Sequence, residues 1–414
     1  MATVRPFAAI RPAKQYAKQM ISLPYDVMNR EEAAAMAEGN PNSFLHICRA
    51  EIDLPDEENP YAECVYEKAK SNIADYLAQG VLRRDEKPML YIYRQKMDGR
   101  IQTGIVGCVS VDEYLNNTIK KHEFTRVEKE LDRIRHFDTC NANTEPVFLT
   151  YRDRPELRAL IAQWAETHTP DYDLTASDGI GHTLWAIDDD DVIAALVNAF
   201  DTIPALYIAD GHHRSASAAK VGIKRREEHP DYTGDEEFNY FMAVIFPDED
   251  LRIFDYNRVV KDLNGLTEEE FLAKIRENFI VEKKSAKGTP YVPEAKHDFA
   301  MFLGGNWYKL TAKPEIVPDH VIDGLDVSIL QANILAPVLN IQDPRTDKRI
   351  DFVGGIRGLG ELERRVDKDM TVAFALYPVS IADLLAVSDQ NLVMPPKSTW
   401  FEPKLGSGLF LHEL

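Results

Sequence analysis

Cysteine is scarce. Four residues in 414 (Cys48, Cys64, Cys108 and Cys140) carry no C-x-x-C spacing, which argues against a disulfide scaffold and predicts reduced thiols in a cytoplasm. Long apolar runs are missing as well: none approaches the ~20 residues a membrane span needs. The opening stretch MATVRPFAAIRPAKQ lacks the apolar core of a signal peptide. Positive charge is in deficit, with 48 Lys and Arg against 68 Asp and Glu and a net charge of −20. Such a balance repels nucleic acid and anionic lipid, so neither is expected as a partner, and an anionic ligand would need a local basic pocket. There is no Walker loop ahead of Lys397-Ser398-Thr399 and no dinucleotide fingerprint at Gly354-Gly355-Ile356-Arg357-Gly358. The latter reads as a loop before it reads as a ligand cradle. Repeats, low-complexity tracts and Pro/Ser/Gly linkers are absent too.

What is present is ordinary globular material, 44% hydrophobic and 28% charged. At roughly 150 residues per domain the length suggests two or three domains. Helical spacing runs through 61–80, 155–166, 190–200, 214–222, 267–278, 328–339 and 381–389. Strand patterns occupy 43–49, 88–96, 103–111, 146–151, 183–187, 204–210, 238–246, 251–260 and 371–379, with a hairpin over 296–312. The mosaic lacks strict βαβ alternation and predicts an α+β fold. We expect a division into 1–260 and an interlocked C-terminal α+β part, 261–414. Helix 328–339 is apolar enough to serve as a homodimer seam, and serves equally as core.

Two stretches carry chemistry. In the first, His122-Glu123-Phe124-Thr125 leads into a helix for which Thr125 and Glu128 match a capping box. Val127, Leu131 and Ile134 form one stripe, while Lys129, Asp132, Arg133 and His136 form a nearly opposite one. One stripe is expected on the core, the other at a cleft or in solvent. Either the charged stripe is a solvated face with internal ion pairs, or Glu123 acts as a general base while Lys129 and Arg133 clamp phosphate oxygens.

The second stretch is Asp210-Gly211-His212-His213-Arg214, where an apolar strand turns directly into a helix of small residues. Unpaired N–H groups at such a helix start attract anions. Asp210 could cap the helix, orient a histidine or hold Mg²⁺ through water. A plain turn and a transition-metal site are the competing readings; adjacent histidines rarely point at one ion, which weighs against the metal. Phosphate binding is favoured, with Lys397, Ser398 and Thr399 as further anion ligands.

At these residues the chain resembles the family catalogued as domain of unknown function 1015. The resemblance rests on Leu23-Pro24-Tyr25-Asp26-Val27, His122-Glu123-x-Thr125 with Lys129, Asp132 and Arg133, Ala209 to Arg214, and Met394 to Lys404 with Ser407-Gly408. The Asp-Gly-His-His-Arg junction is also similar to the nucleotide loop of the ParB–sulfiredoxin superfamily, which includes free L-serine kinases. That second resemblance implies a ParB/sulfiredoxin-like core and phosphate-holding roles for Gly211, His212, His213 and Arg214. It departs from sulfiredoxin in having no cysteine at 209–214, and from ParB in its acidity and lack of an evident helix-turn-helix. The expectation is therefore a cytoplasmic kinase using ATP or ADP and Mg on a small hydroxyl compound, free L-serine first. Glu123 would be the base, with His122 and Asp210 beside it, and Asp132 or Asp210 would hold the metal. The alternatives are a phosphatase or nucleotide hydrolase in the same pocket, or a non-catalytic nucleotide-binding regulator.

Overall fold

The computed structural model describes residues 1–56 and 58–414, and the chain divides into two units. Met1–Leu251 with Pro403–Leu414 make the first, and Arg252–Glu402 the second. The boundary expected at 260/261 coincides with the end of a second-unit strand, Tyr256–Val260, and the chain's last segment returns to the first unit.

In the first unit the strands expected over 88–96 and 103–111 form and pair as a hairpin. Leu90–Met97 pairs antiparallel with Arg100–Ser110, and Asp98 and Gly99 take φ of 50° and 80° at the turn, the positive values that match strand twist. Tyr240–Pro247 joins Arg100–Ser110 antiparallel and Val147–Tyr151 parallel. Leu206–Asp210 continues the sheet antiparallel to Val147–Tyr151, and Ile119–Lys120 closes that edge. On the other side stand Gly181–Ile187 and then Tyr172–Thr175. Val147–Tyr151 is buried throughout, and Leu206–Asp210 up to its last residue, as expected for strands covered on both faces. Pairing shifts register between Ile208 and Asp210, which sets Asp210 apart from the regular ladder at the strand's end.

Helices Pro155–Thr167 and Asp190–Phe200 cover this sheet with Leu157, Ile161, Trp164, Leu196 and Phe200. A second core gathers Met20, Phe44, Leu45, Ile47, Val65, Ala69 and Ile73 with Leu411 from the chain's end. The strand expected over 43–49 is instead a helical turn, Leu45–Cys48. Its apolar residues Phe44, Leu45, Ile47 and Cys48 fit one face of a helix as well as a buried strand, and Ser43 Oγ accepts the Leu45 N–H at 3.3 Å, favouring the turn.

The second unit holds a six-stranded antiparallel sheet in the order Phe279–Ala286, Asn306–Ala312, Asp298–Leu303, Val372–Leu376, Tyr256–Val260, Ile350–Gly354. Ala300, Phe302, Trp307, Val353 and Leu362 form its core, and the buried Trp307 indole donates to Glu363 Oε1 at 2.7 Å. Helix Glu268–Asn278 starts in a Thr267–Glu270 capping box. The helix expected over 328–339 is shorter and changes character, running α over Asp326–Leu330 and π over Gln331–Leu335. Val327, Ile329, Leu330, Ile334 and Leu335 are buried within the unit. They belong to the core of the unit. The chain is thus α+β, with a mixed sheet in one unit and an antiparallel sheet in the other. Among the described residues no helix is long and apolar enough to cross a membrane.

Candidate functional site

Gly211 makes the turn between strand Leu206–Asp210 and helix His212–Glu228. Its φ is +92°, and a Cβ there would meet the Arg214 guanidinium at 3.1–3.2 Å. Glycine is required twice over, for backbone conformation and for space. Arg214, 2% exposed, lies under the turn and donates through Nη1 to the Pro146 carbonyl. Asp210 accepts the Gly211 N–H at 2.8 Å and the Lys404 ammonium at 3.0 Å. Burial alone would raise its carboxyl, but Lys404 and Arg214 hold it well below the usual carboxylate range. The first N–H groups of the helix have no intrahelical acceptor and open onto this charged corner.

The two histidines stitch the first chemical stretch to the second. His212 Nε2 accepts the His122 N–H at 3.4 Å, and His213 Nε2 accepts the Arg126 N–H at 2.9 Å. Burial, then the neighbouring His122, keeps His212 far below an ordinary histidine, so it is neutral at pH 7. With Nε2 accepting, its proton sits on Nδ1, which faces Glu123 Oε2 at 3.8 Å. The His122 ring meets the His212 ring edge-on, with centroids 4.4 Å apart, and burial lowers His122 to about 4. Glu123 itself is 47% exposed. Glu123, His122 and His212 thus come together, and with both Nε2 atoms engaged, His212 Nδ1 faces Glu123 while His213 keeps its own Nδ1.

Helix Val127–Cys140 reverses the expected orientation of its faces. Val127 and Leu131 are 71% and 48% exposed, whereas Asp132, Arg133 and His136 are buried. The charged stripe goes inward because it is paired there. Arg133 lies 4.0 Å over the Tyr25 ring and bonds Asp132 at 2.9 Å, and its Nη1 stands 3.8 Å from Glu145 Oε2. Asp132 takes a second bond from the Tyr66 hydroxyl at 3.0 Å, and His136 Nε2 lies 3.0 Å from the Ile47 carbonyl. The capping box is not formed either: Arg126 is the N-cap, and Thr125 Oγ1 donates to Glu130 at 2.7 Å. On its other side the helix packs on His212–Glu228, where Ser217 Oγ reaches the Glu130 carbonyl at 3.0 Å.

Glu145, which sequence reasoning did not single out, ties the corner together. Its Oε1 accepts the Tyr25 N–H at 3.2 Å and the Ser407 hydroxyl at 2.7 Å. Burial raises its carboxyl, against the pull of Arg214 and Arg133. Beside it opens a cavity of about 520 Å³ lined by Tyr25, Asp26, Arg49, Lys129, Asp132 and Arg133. Lys129 reaches its rim, while Arg133 is held in its wall. No local pattern marks Glu145; it follows a helix end in an unremarkable Thr-Glu-Pro.

Two expectations need correction. Asp132 and Asp210 do not form a metal site: Asp132 is taken up by Tyr66 and Arg133, Asp210 by Gly211 and Lys404. Among the described residues no group of three or more His, Cys, Asp or Glu could hold a metal ion. The residues present do not fit a protein-held Mg²⁺. The cation that meets Asp210 from the C-terminal stretch is Lys404, not Lys397. Lys397 lies in the second unit at φ +58°, its carbonyl accepting from Arg258 and its ammonium 5.4 Å from the Tyr256 ring centre. Ser398, 8% exposed, donates to the Pro395 carbonyl at 2.6 Å. Thr399 follows it in the same unit.

A mixed sheet ending in a charged strand–glycine–helix corner makes the first unit an α+β fold. Residues 4–328 match the family described as protein of unknown function (DUF1015), and the chain belongs to that family. No curated protein matches it. Among solved structures it is similar to a C-terminally truncated SbnI from Staphylococcus aureus (11% identity, 74% of this chain and 87% of that one, TM-score 0.40). A free serine kinase in complex with AMP is also similar (12%, 73% and 92%, 0.34). So is a conserved hypothetical protein from Pyrococcus furiosus (14%, 74% and 95%, 0.35). These likenesses are remote, and the functional reading below rests on the geometry of the corner.

Proposed function

We propose that the first unit has a ParB/sulfiredoxin-like core and transfers a phosphoryl group from ATP or ADP to the hydroxyl of a small molecule, free L-serine first. One observation carries the reading: a half-exposed carboxylate, Glu123, stands beside a neutral histidine at a helix start whose N–H groups are unpaired. Phosphoryl transfer asks chiefly for positioning and for neutralisation of charge. The N–H groups of His212, His213 and Arg214 would receive phosphate oxygens, with Lys129 adding a mobile cation from the cavity rim. Glu123 would take the proton of the attacking hydroxyl. His212 Nδ1–H would orient the Glu123 carboxylate, and the buried His122 would fix the His212 ring. Arg133 and Arg214 would act from beneath, holding Asp132, Glu145 and the Gly211 turn in place.

The test incubates the purified full chain with ATP or ADP and a panel of hydroxyl metabolites including L-serine, read by mass spectrometry. A phosphorylated product is expected, and Glu123→Gln should lower its formation by about 100-fold or more while nucleotide binding persists. Unchanged turnover in Glu123→Gln, or no phosphorylated product across the panel, would sink the proposal. The exposure of Glu123 also admits water as acceptor; phosphate release without any hydroxyl compound, again dependent on Glu123, would make the protein a hydrolase.

A further inference from the structure

The first unit contains a second cavity, of about 530 Å³, which shares only Lys404, the partner of Asp210, with the corner described above. Ile21, Leu23, Met36, Leu45 and Leu405 form an apolar part of its wall, and polar residues, Lys18, Lys404 and Asp178 among them, line the rest. One polar ring belongs to the wall: His182, 3% exposed.

The protonation of His182 follows from its neighbours. The Tyr93 hydroxyl accepts the Gly406 N–H at 3.1 Å and lies 2.6 Å from His182 Nδ1. A buried hydroxyl with one proton must donate it, and Nδ1 is the acceptor in reach. Burial lowers His182 to about 4 and pushes the Tyr93 phenol far above its ordinary value, so both are neutral at pH 7. A neutral imidazole that accepts at Nδ1 carries its proton on Nε2. That Nε2–H has no hydrogen-bond partner among the described residues, although the other buried polar groups around it are paired. Gln102 donates to Gln95 at 2.9 Å, and Gln95 donates to the Lys404 carbonyl at 2.7 Å.

We infer that this cavity binds a small aliphatic monocarboxylate, its head on the His182 Nε2–H with the Lys18 ammonium nearby and its carbon body against Ile21, Leu23, Met36 and Leu405. A lone donor calls for an acceptor, and the lysine makes an anionic one preferable. Asp178 opposes a dianion such as phosphate, and the apolar part of the wall favours a short carbon body. The inference does not depend on phosphoryl transfer at the other corner.

Full-length protein labelled with [15N]histidine provides the test, titrated with butyrate, n-butanol and inorganic phosphate in turn and followed by long-range nitrogen–proton spectra. The expected result is a His182 pattern with the proton on Nε2, moved saturably by butyrate and little by the other two. Lys18→Met, at an exposed position, should weaken butyrate about threefold, and His182→Phe, read by calorimetry, roughly tenfold or more. A proton on Nδ1, equal response to n-butanol or phosphate, no response to butyrate, or unchanged affinity in Lys18→Met would each overturn the assignment. Should His182→Phe fail to fold, the tautomer pattern and Lys18→Met decide alone.

Discussion

Arg133 shows how much one buried charge can organise. Its guanidinium stacks on Tyr25, bonds the adjacent Asp132 and faces Glu145, so the Tyr25 turn and the Glu145 stretch both meet this helix at one side chain. Removing one member of such a group leaves its partners buried without compensation. Arg133→Met should therefore destabilise the protein by about 3–5 kcal/mol, measured by denaturant unfolding. Adding Glu145→Gln should recover part of that loss, because the orphaned carboxylate disappears. A loss below about 1 kcal/mol would mean that the guanidinium is effectively solvated and the corner is not built as described. His212 and His213 are held by their rings as well as by the helix start. Each gives Nε2 to a backbone N–H, His212 to that of His122 and His213 to that of Arg126, and leaves the helix-start N–H groups for an anion.

At the scale of elements, helix Val127–Cys140 is the instructive case. A helical stripe of Val127, Leu131 and Ile134 reads as a core face, because burying apolar area is the usual reason such a stripe exists. Here two of the three stand in solvent and the charged stripe is inside. Periodicity identifies two faces but cannot say which one faces inward when the polar one has partners waiting for it. Val127→Lys and Leu131→Glu should each change stability by less than about 0.5 kcal/mol, as substitutions at exposed sites do. A loss of about 2 kcal/mol or more, the cost of emptying a core position, would restore the reading taken from periodicity. Both can be checked by thermal unfolding. Helix His212–Glu228 behaves as its small residues suggest, since Gly222 leaves room for the Phe238 carbonyl, which a Cβ would meet at 2.6 Å.

Across the molecule, burial of histidines sets a common acid sensitivity. His122 and His182 are lowered to about 4 and His136 to about 3, with burial the leading cause, and His212 is lowered as well. Each is neutral in the folded chain and would take up a proton near pH 6.5 once unfolded. The unfolded state therefore binds more protons between the two values, and stability falls as pH drops from about 6.5 towards 4. His46 runs the other way: its bond to Asp53 raises it, so its contribution is present at low pH and fades as pH rises through its folded value. Five lowered histidines, His213 included, outweigh His46 and the raised carboxyls of Asp326 and Glu145, so the melting temperature should fall between pH 7 and pH 5. A flat profile across that interval would show that these rings are not held neutral. The C-terminal segment belongs to the same scale. Lys404 meets Asp210, Ser407 meets Glu145, and Leu411 pairs with Ile10, so the last residues of the chain complete the unit that its first residues begin.

Features that depend on neighbours along the chain are readable from the residues alone. The Asp98–Gly99 hairpin, the strand–Gly211–helix junction and the Thr267 capping box needed only turn chemistry, a glycine and a helix start. The family was legible as well, because its motifs are short and local. Only the tertiary structure decided which charges are buried and what answers them. Glu145 and Lys404 come to the Asp210 corner from remote stretches, whereas Lys397 and Ser398 are spent on contacts within the second unit. The physical reason is that a buried ion is tolerable only beside its partner. That partner is chosen by how strands and helices stack in space, and spacing along one segment carries no record of it.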